Sequence, residues 1–331
     1  MHLADPKLVT IFGGSGFVGR HTVRALAAQG WRIRVACRRP DLAFHLQPLG
    51  RVGQIHAVQA NLRHPPSVMS ALRGSDAVIN LTGILAESGR QTFAAVQGFG
   101  ARAVARAAAE AGVGSLVHMS AIGADPESDS AYARSKAEGE AGVLEAFPAA
   151  RIVRPSIIFG PEDDFFNRFA AIARIAPVMP LIGGGQTRFQ PVYVGDVAAA
   201  IAALNNGAGK PGAIYELGGP EVKTFEELLR YICKVTGRNR LFVPVPWPLA
   251  NIKAFSLELV HKLSLGLWPD WLTVTRDQIR LLRYDNVVSA AAIADGRTLQ
   301  GLGIAPQSLE AHVPGYLYRF RKTGQFSEQG A

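Results

Sequence analysis

The first 155 residues alternate between short apolar runs and stretches with helical spacing, and this alternation is the strongest constraint on the fold. Apolar runs fall at 8–12, 33–37, 55–59, 77–81, 115–119 and 151–154. Helical spacing is read at 16–29, where Val18, Thr22, Ala25 and Leu26 share a face, and at 92–111 and 131–146. Continuous apolar strands separated by helices predict a parallel sheet covered on both faces. Right-handed crossovers then make the domain α/β and doubly wound. Past Pro155 the rhythm breaks and Pro and Gly become frequent. The chain is therefore expected to divide into a sheet domain over 1–160, returning at about 187–217, and a smaller lobe. That lobe takes 161–186 and 218–331 and is expected to be mainly helical. Within the returning segment, 189–192, 196–204 and 214–217 are expected to rejoin the main sheet. The cleft between domain and lobe is the expected ligand site.

Composition narrows the class. The chain has 331 residues, 48% of them hydrophobic and 18% charged, which excludes a disordered or coiled-coil protein. Cys37 and Cys233 are too few for a disulfide framework or a cysteine-rich zinc site, so a reducing compartment is expected. The histidines, including His118 and His261, lack metal-ligand spacing. A strand-like run starts at residue 7, so no secretory leader is expected. The longest stretch free of Asp, Glu, Lys and Arg, 111–124, is shorter than the roughly 20 residues a bilayer span needs. The formal charge of +9 suits anionic lipid or an acidic protein surface. It would also suit nucleic acid, but no recognition motif or tight Lys/Arg cluster accompanies it, and none is expected as a partner.

Residues 13–19 read GGSGFVG between the first strand and the first helix. Gly13, Gly16 and Gly19 have the spacing of a Rossmann-type dinucleotide turn: one for the tight turn, one for close approach to pyrophosphate, one for helix–sheet packing. Ser15, Phe17 and Val18 complete the phosphate-facing turn, whose helix N-terminus offers free amides and partial positive charge. The alternative is a glycine-rich turn with no ligand. An NAD site places an acid after the second strand for the ribose hydroxyl. Here Cys37 is followed by Arg38 and Arg39, whose guanidinium groups suit a 2′-phosphate, so NADP(H) is preferred over NAD(H). The alternative is that both are solvated. Asn61, after the third strand, is either an adenine partner or a turn residue.

Tyr132 and Lys136 stand four apart on one helix and share a face. A nearby ammonium is expected to lower the phenol's pKa, so that Tyr132 can exchange a proton with a carbonyl oxygen while a nicotinamide exchanges hydride. Lys136 can also hold the nicotinamide ribose, and Ser120, ending the fifth strand, can polarise the carbonyl. By itself a Tyr-x-x-x-Lys pattern is a frequent accident; its place after the fifth strand gives it weight.

With these pieces in view, the chain resembles the short-chain dehydrogenase/reductase superfamily in its extended form. The matching segments are GGSGFVG, the run from Asn80 through Leu81 and Thr82 to Gly83, Ser120, Tyr132 with Lys136, RPSIIFGP (154–161) and LGIAPQSLEAHVPGYL (302–317). GPEDDFFNRFA, QPVYVGDVAAAI, VPVPWPLA and WLTVTRDQIRLL are similar to the complex I accessory-subunit family called alpha-subcomplex subunit nine, an atypical branch whose bacterial relatives are often free-standing. The resemblance implies a tightly held, largely structural NADP(H) and a place in respiratory complex I near the quinone site. For a bacterial chain it implies a cytoplasmic location, peripheral to the inner membrane. It assigns cofactor contacts to the glycine turn, to Leu81, Thr82 and Gly83, and to Pro155, Ile157 and Ile158, with backbone groups after Pro155 facing the carboxamide. One position departs from the pattern. Extended members usually carry Asn in the helix after the fourth strand, where it organises a catalytic water, and the aligned residue here is Gln97. A misplacement near 1 Å costs about a hundredfold in rate, so the triad is either a weakened catalyst or a set of cofactor ligands.

Outside the turn and the triad, Phe165, Phe166 and Phe169 either line an apolar pocket or pack the lobe. Gly183–Gly185 permit a lid. Asp196 is expected to cap its helix. Residues 246–271 carry Trp247, Trp268 and Trp271 around the stripe Ile252, Phe255, Leu259 and Leu263. That composition fits an interfacial helix or one packed on its own lobe. The tail from Tyr316 is expected to fray.

Overall fold

A computed structural model of the chain describes residues 6–252, 254–255, 275–322 and 324. Seven strands form one sheet: β1 (Leu8–Phe12), β2 (Arg32–Cys37), β3 (Ile55–Gln59), β4 (Ala77–Asn80), β5 (Ser115–Met119), β6 (Arg151–Pro155) and β11 (Ile214–Leu217). Their spatial order is β3-β2-β1-β4-β5-β6-β11, and every pairing is parallel. Val9, Ile11, Val35, Val78, Ile79, Val117, Ile152 and Val153 are fully buried, as a sheet covered on both faces requires. Helix α1 (Phe17–Ala28) packs against α6 (Val194–Asn205), while α2 (Pro65–Leu72), α3 (Phe99–Glu110) and α4 (Ala131–Ala146) pack in series. The fold is α/β and doubly wound. The strand order reverses between β1 and β4, and the crevice at such a reversal is where open α/β sheets bind ligands.

Most expected strands match within a residue, and three departures have local causes. The 92–111 segment is not one α-helix: a π-helical turn, Ala94–Gly98, precedes α3. Two helical segments went unread, a 3₁₀ stretch Pro40–Leu49 and α2, both opened by proline. Residues 189–192 do not rejoin the main sheet. β9 (Arg188–Phe189) pairs antiparallel with β12 (Lys223–Thr224), and β10 (Val192–Tyr193) pairs with β7 (Ile158–Phe159). Runs this short carry too little periodicity to name a partner.

The chain forms two compact units. The first comprises 1–155, 194–217 and 288–305; the second comprises 156–193, 218–287 and 306–331. In the first, the 288–305 segment closes the outer edge of β11. Glu216 N–H donates to Arg297 O (3.0 Å), Arg297 Nη1 donates to Ile214 O (2.7 Å), and Ser289 N–H donates to Glu216 Oε2 (2.7 Å). Among the described residues the second unit holds three two-stranded sheets, including β8 (Val178–Ile182) beside β13 (Leu241–Val245), together with α5 (Phe165–Ile175) and α7 (Phe225–Val235). Its core is aromatic: Phe159, Phe166, Phe189, Phe225 and Tyr316 are buried together. No described helix is long and apolar enough to cross a membrane.

Candidate functional site

The turn after β1 is held by backbone contacts that exclude side chains. Gly13 has φ +76°, and a Cβ there would lie 3.0 Å from the Leu81 carbonyl carbon and 3.1 Å from Thr82 N. A Cβ on Gly19 would lie 2.3 Å from Gly13 O. Gly16 differs: its Cβ would meet nothing closer than Gly13 O at 3.4 Å. Packing therefore demands glycine at 13 and 19, whereas at 16 it leaves open space beside the helix start. The first α1 bond runs from Arg20 N–H to Gly16 O (3.0 Å), so the amides of Phe17 and Val18 precede the helical ladder. No side chain caps α1 and its first turn holds no acid. An anion next to Ser15 and Gly16 suits these amides.

The ends of β2 and β3 frame a cavity of about 390 Å³ lined by Arg38, Gln59, Ala60, Asn61, His64 and Ser67. No carboxylate lines it. Arg39 does not line it either: its Nη2 donates to Asp41 Oδ2 at 3.0 Å, because a carboxylate two residues on is the nearer partner. That bond holds the Asp41 carboxyl below its usual pKa. Asn61 is a turn residue, with Oδ1 accepting from Arg63 N–H (3.1 Å), and it also lines the cavity.

β5 and α4 assemble the triad residues. Ser130 caps α4, accepting from Ala133 N–H at 3.3 Å. The Tyr132 ring stands edge-on to Phe93, centroids 5.8 Å apart, and Lys136 Nζ lies 5.8 Å from its centroid. Lys136 Nζ donates to Met119 O (3.3 Å), the carbonyl just before Ser120, and sits 3.2 Å from where a Cβ on Gly83 would be. Ser120 Oγ is buried with no hydrogen-bond partner among the described residues, while Ser120 N–H donates to Val153 O (2.7 Å). A buried hydroxyl without a partner, one residue beyond the carbonyl that Lys136 binds, fits a ligand that brings a carbonyl or ribose oxygen. The expected lowering of the Tyr132 pKa is not found. Burial pushes the phenol up to about 12 and the Lys136 amine down to about 8, the latter opposed by Glu140.

Gln97 lies in the π-helical turn, buried, with both amide ends engaged. Nε2 donates to Ile84 O (2.6 Å), and Oε1 accepts from Ser135 Oγ (2.5 Å). It therefore braces α4 against the 81–84 segment. Behind that segment Asn80 accepts from Thr82 N–H (3.1 Å) and its Nδ2 lies 3.3 Å from His118 Nδ1. Burial, then the Lys136 charge, hold His118 down at about 3, so it is neutral, and its Nε2 is buried without a partner among the described residues. Sequence reasoning missed Asn80 and His118 as a pair, because only the β4–β5 register, Asn80 beside His118, brings them together. It also missed Glu140, four residues beyond Lys136 on the same helix. Glu140 is buried and takes two bonds from Arg154, Nε to Oε1 (2.8 Å) and Nη2 to Oε2 (2.6 Å). The i, i+4 spacing from Lys136 was the available signal.

Pro155 ends β6 in the first unit, with its carbonyl accepting from Ile122 N–H (3.0 Å). Ile157 and Ile158 belong to the second unit. Ile157 N–H donates to Asn286 Oδ1 (3.2 Å) and its carbonyl accepts from Val192 N–H (2.9 Å). Of the backbone groups after Pro155, the Ile157 N–H and carbonyl are thus both engaged within the second unit. Ile158 pairs with Val192.

Elsewhere in the second unit, Phe165, Phe166 and Phe169 join the aromatic core, with Phe165 and Phe169 centroids 4.9 Å apart, which is the packing alternative. At Gly183, φ is +61° and a Cβ would lie 2.1 Å from the Trp247 ring, so that glycine receives an indole. Asp196 sits inside the first turn of α6 rather than at its cap. Tyr316 and Leu317 are buried, so the expected fraying does not begin there. Ile252 and Phe255 are exposed, while Leu259, Leu263, His261, Trp268 and Trp271 lie outside the described residues.

Comparison with known proteins places the fold and the family. The model of the NAD dependent epimerase/dehydratase family matches residues 9–218. NADH dehydrogenase [ubiquinone] 1 alpha subcomplex subunit 9, mitochondrial, of Arabidopsis thaliana is 35% identical over 321 residues, 96% of this chain and 79% of that protein. A ceramide reductase of Caulobacter vibrioides is 36% identical over 197 residues, 60% of each chain. Among solved structures, the NADPH-dependent quinone oxidoreductase of Escherichia coli complexed with NADPH superposes with a TM-score of 0.70 at 22% identity, covering 94% of this chain and 99% of that one; it supports the fold. With a family model matched over most of the sheet domain and relatives aligned along nearly the whole sequence, the chain belongs to the NAD dependent epimerase/dehydratase family and, within it, to the group that includes alpha subcomplex subunit 9 of NADH dehydrogenase [ubiquinone] 1.

Proposed function

We propose that this protein is an NADP(H)-binding accessory protein of respiratory complex I or of a related quinone-linked assembly, in which the dinucleotide mainly stabilises the fold. The observation that carries this reading is the 35% identity along 96% of the chain to a subunit of that complex. In this reading Gly13, Ser15, Gly16, Phe17 and Val18 hold the pyrophosphate and Arg38 meets the 2′-phosphate. Asn61 borders the adenine. Leu81, Thr82 and Gly83 flank the nicotinamide ribose together with Tyr132 and Lys136, and Pro155, Ile157 and Ile158 add apolar contact. Arg39 serves indirectly, by occupying the nearest carboxylate, Asp41. A ligand at 100 times its dissociation constant adds about 2.7 kcal/mol of stability. The melting temperature should therefore rise by several degrees with NADPH and by less with NADH at equal concentration. Native mass spectrometry of the purified protein should show a retained nucleotide, and affinity capture from detergent-solubilised membranes should recover complex I subunits on the cytoplasmic side. Capture that yields no respiratory component removes the accessory reading.

A second reading, favoured by the orphaned Ser120 hydroxyl, is an active oxidoreductase on an apolar ketone, quinone or sterol-like substrate, or an epimerase or dehydratase acting on a nucleotide sugar. When bound, the nicotinamide donates or accepts hydride. Ser120 Oγ then donates to the substrate oxygen, Tyr132 passes it the proton, and Lys136 holds the ribose and stabilises developing phenolate. With the phenol at about 12 before any ligand charge acts on it, turnover should rise with the positive charge that Lys136 carries, which is greatest below about pH 8. Tyr132→Phe should lower kcat at least a hundredfold and leave NADPH affinity within about threefold. Equal activity in both forms would exclude this chemistry.

A further inference from the structure

The cavity beside Arg38 contains a second group able to carry positive charge. His64 lines it from the connection between β3 and α2, and Arg38 lines it from the end of β2. The two strand ends are joined, with Cys37 beside Gln59 in register and Ala60 N–H donating to Cys37 O at 2.9 Å. The backbone of His64 is pinned. Its N–H donates to Asn61 O (2.8 Å), and its carbonyl accepts from Ser67 N–H (2.9 Å) and Ser67 Oγ (2.8 Å). Its ring makes no hydrogen bond or ion pair among the described residues, and neither does the Arg38 guanidinium. The other charged and titratable groups nearby are committed. Arg39 is paired with Asp41, Arg63 Nη1 donates to Arg90 O (3.2 Å), and His45 Nδ1 lies against Leu42 O (3.0 Å).

We propose that His64 is the second cationic partner of the 2′-phosphate, in the cavity it shares with Arg38, and that it makes the preference for NADP(H) over NAD(H) grow as pH falls through neutrality. The inference rests on the NADP(H) reading and replaces the expected Arg38–Arg39 pair with Arg38 and His64. An imidazole starts from a pKa near 6.5 and a phosphate monoester has its second pKa near 6, so both change charge in the same range. A dianion beside the ring favours its cationic form. NADH lacks the phosphate and serves as the internal control. The phosphate's own titration is common to every variant, so the difference between wild type and variant isolates the histidine.

The test is calorimetric titration of the full chain with NADPH and with NADH at pH 6, 7 and 8, for wild type, His64→Gln and Arg38→Gln, with melting temperatures as a folding control. His64→Gln should weaken NADPH about fivefold at pH 6 and less than twofold at pH 8, with NADH unchanged at both. Arg38→Gln should weaken NADPH at every pH. If His64→Gln binds NADPH like wild type at pH 6 while wild type still prefers NADPH, the role of His64 is overturned and the NADP(H) reading stands. An equal loss for both dinucleotides makes His64 an adenosine contact and overturns the proposal as well. Wild type that binds NADPH and NADH alike at every pH removes the NADP(H) reading, and this inference with it.

Discussion

His118 shows how a single buried side chain ties the site to solution conditions. It sits on β5 between Lys136 and Asn80, neutral, with a proton affinity depressed to about 3 against the ordinary 6.5. The unfolded chain therefore takes up a proton before the folded one does. Stability from this group is complete above pH 6.5 and drains away as pH falls toward 3, at about 1.4 kcal/mol per pH unit and up to roughly 5 kcal/mol in all. His118→Gln cannot titrate and should flatten the acid limb of a stability-versus-pH curve, measured by urea unfolding between pH 7 and 4. Parallel curves for the two proteins would mean that His118 is not the residue responsible. None of this was legible in the sequence, where His118 was one of eight histidines without a spacing pattern. The positions of Tyr132, Lys136 and Ser120 were legible because they follow from helix spacing and a strand end. Their proton affinities were not, because burial is set by neighbours far along the chain.

The glycine turn separates two reasons for lacking a side chain. Gly19 faces backbone at 2.3 Å, while Gly16 faces room. Gly19→Ala should therefore lower stability by about 2 kcal/mol or more, through forced movement of α1 off the sheet. Gly16→Ala should keep its melting temperature within a few degrees and lose at least tenfold in dinucleotide affinity, because only the ligand needs that space. Thermal melts with and without NADPH report both, and a Gly16→Ala protein that binds normally would place the phosphate elsewhere. At the same scale, Gly139 of α4 approaches Gln97 O, with a Cβ position 2.3 Å away, which explains why α4 can press against the π-helical turn. The sequence suggested one continuous helix there, since one extra residue per turn barely alters an apolar pattern over a few residues. Strands β1 to β6 were readable because each carries a run of four to six residues with buried apolar positions, followed by a turn or helix signal. β7, β9, β10 and β12 were not, being two residues long each.

At the level of the whole chain, two compact units are woven from three segments apiece, and the segment 288–305 belongs with the nucleotide-binding sheet. Local sequence does not announce this return, because it is made by backbone bonds and one guanidinium, without an eighth strand. Arg297 supplies both a carbonyl to Glu216 and a side chain to Ile214, and Asp295 holds that side chain at 2.9 Å. Arg297→Ala should destabilise the first unit by about 1–2 kcal/mol, through the unpaired Ile214 carbonyl and lost packing. Hydrogen exchange should localise the loss to β11 and β6, and a uniform increase across both units would argue against it.

The sealing of that strand has a consequence for how the chain can be cut and made. A fragment ending near residue 218 contains every strand of the large sheet, yet its outermost strand shows bare amide and carbonyl groups along one side, an open template for a neighbouring molecule. The ribosome must release the seventy residues 218–287 of the other unit before the strip that covers this side emerges. Until then the half-made protein is adhesive, and an early-bound dinucleotide cannot shield that margin.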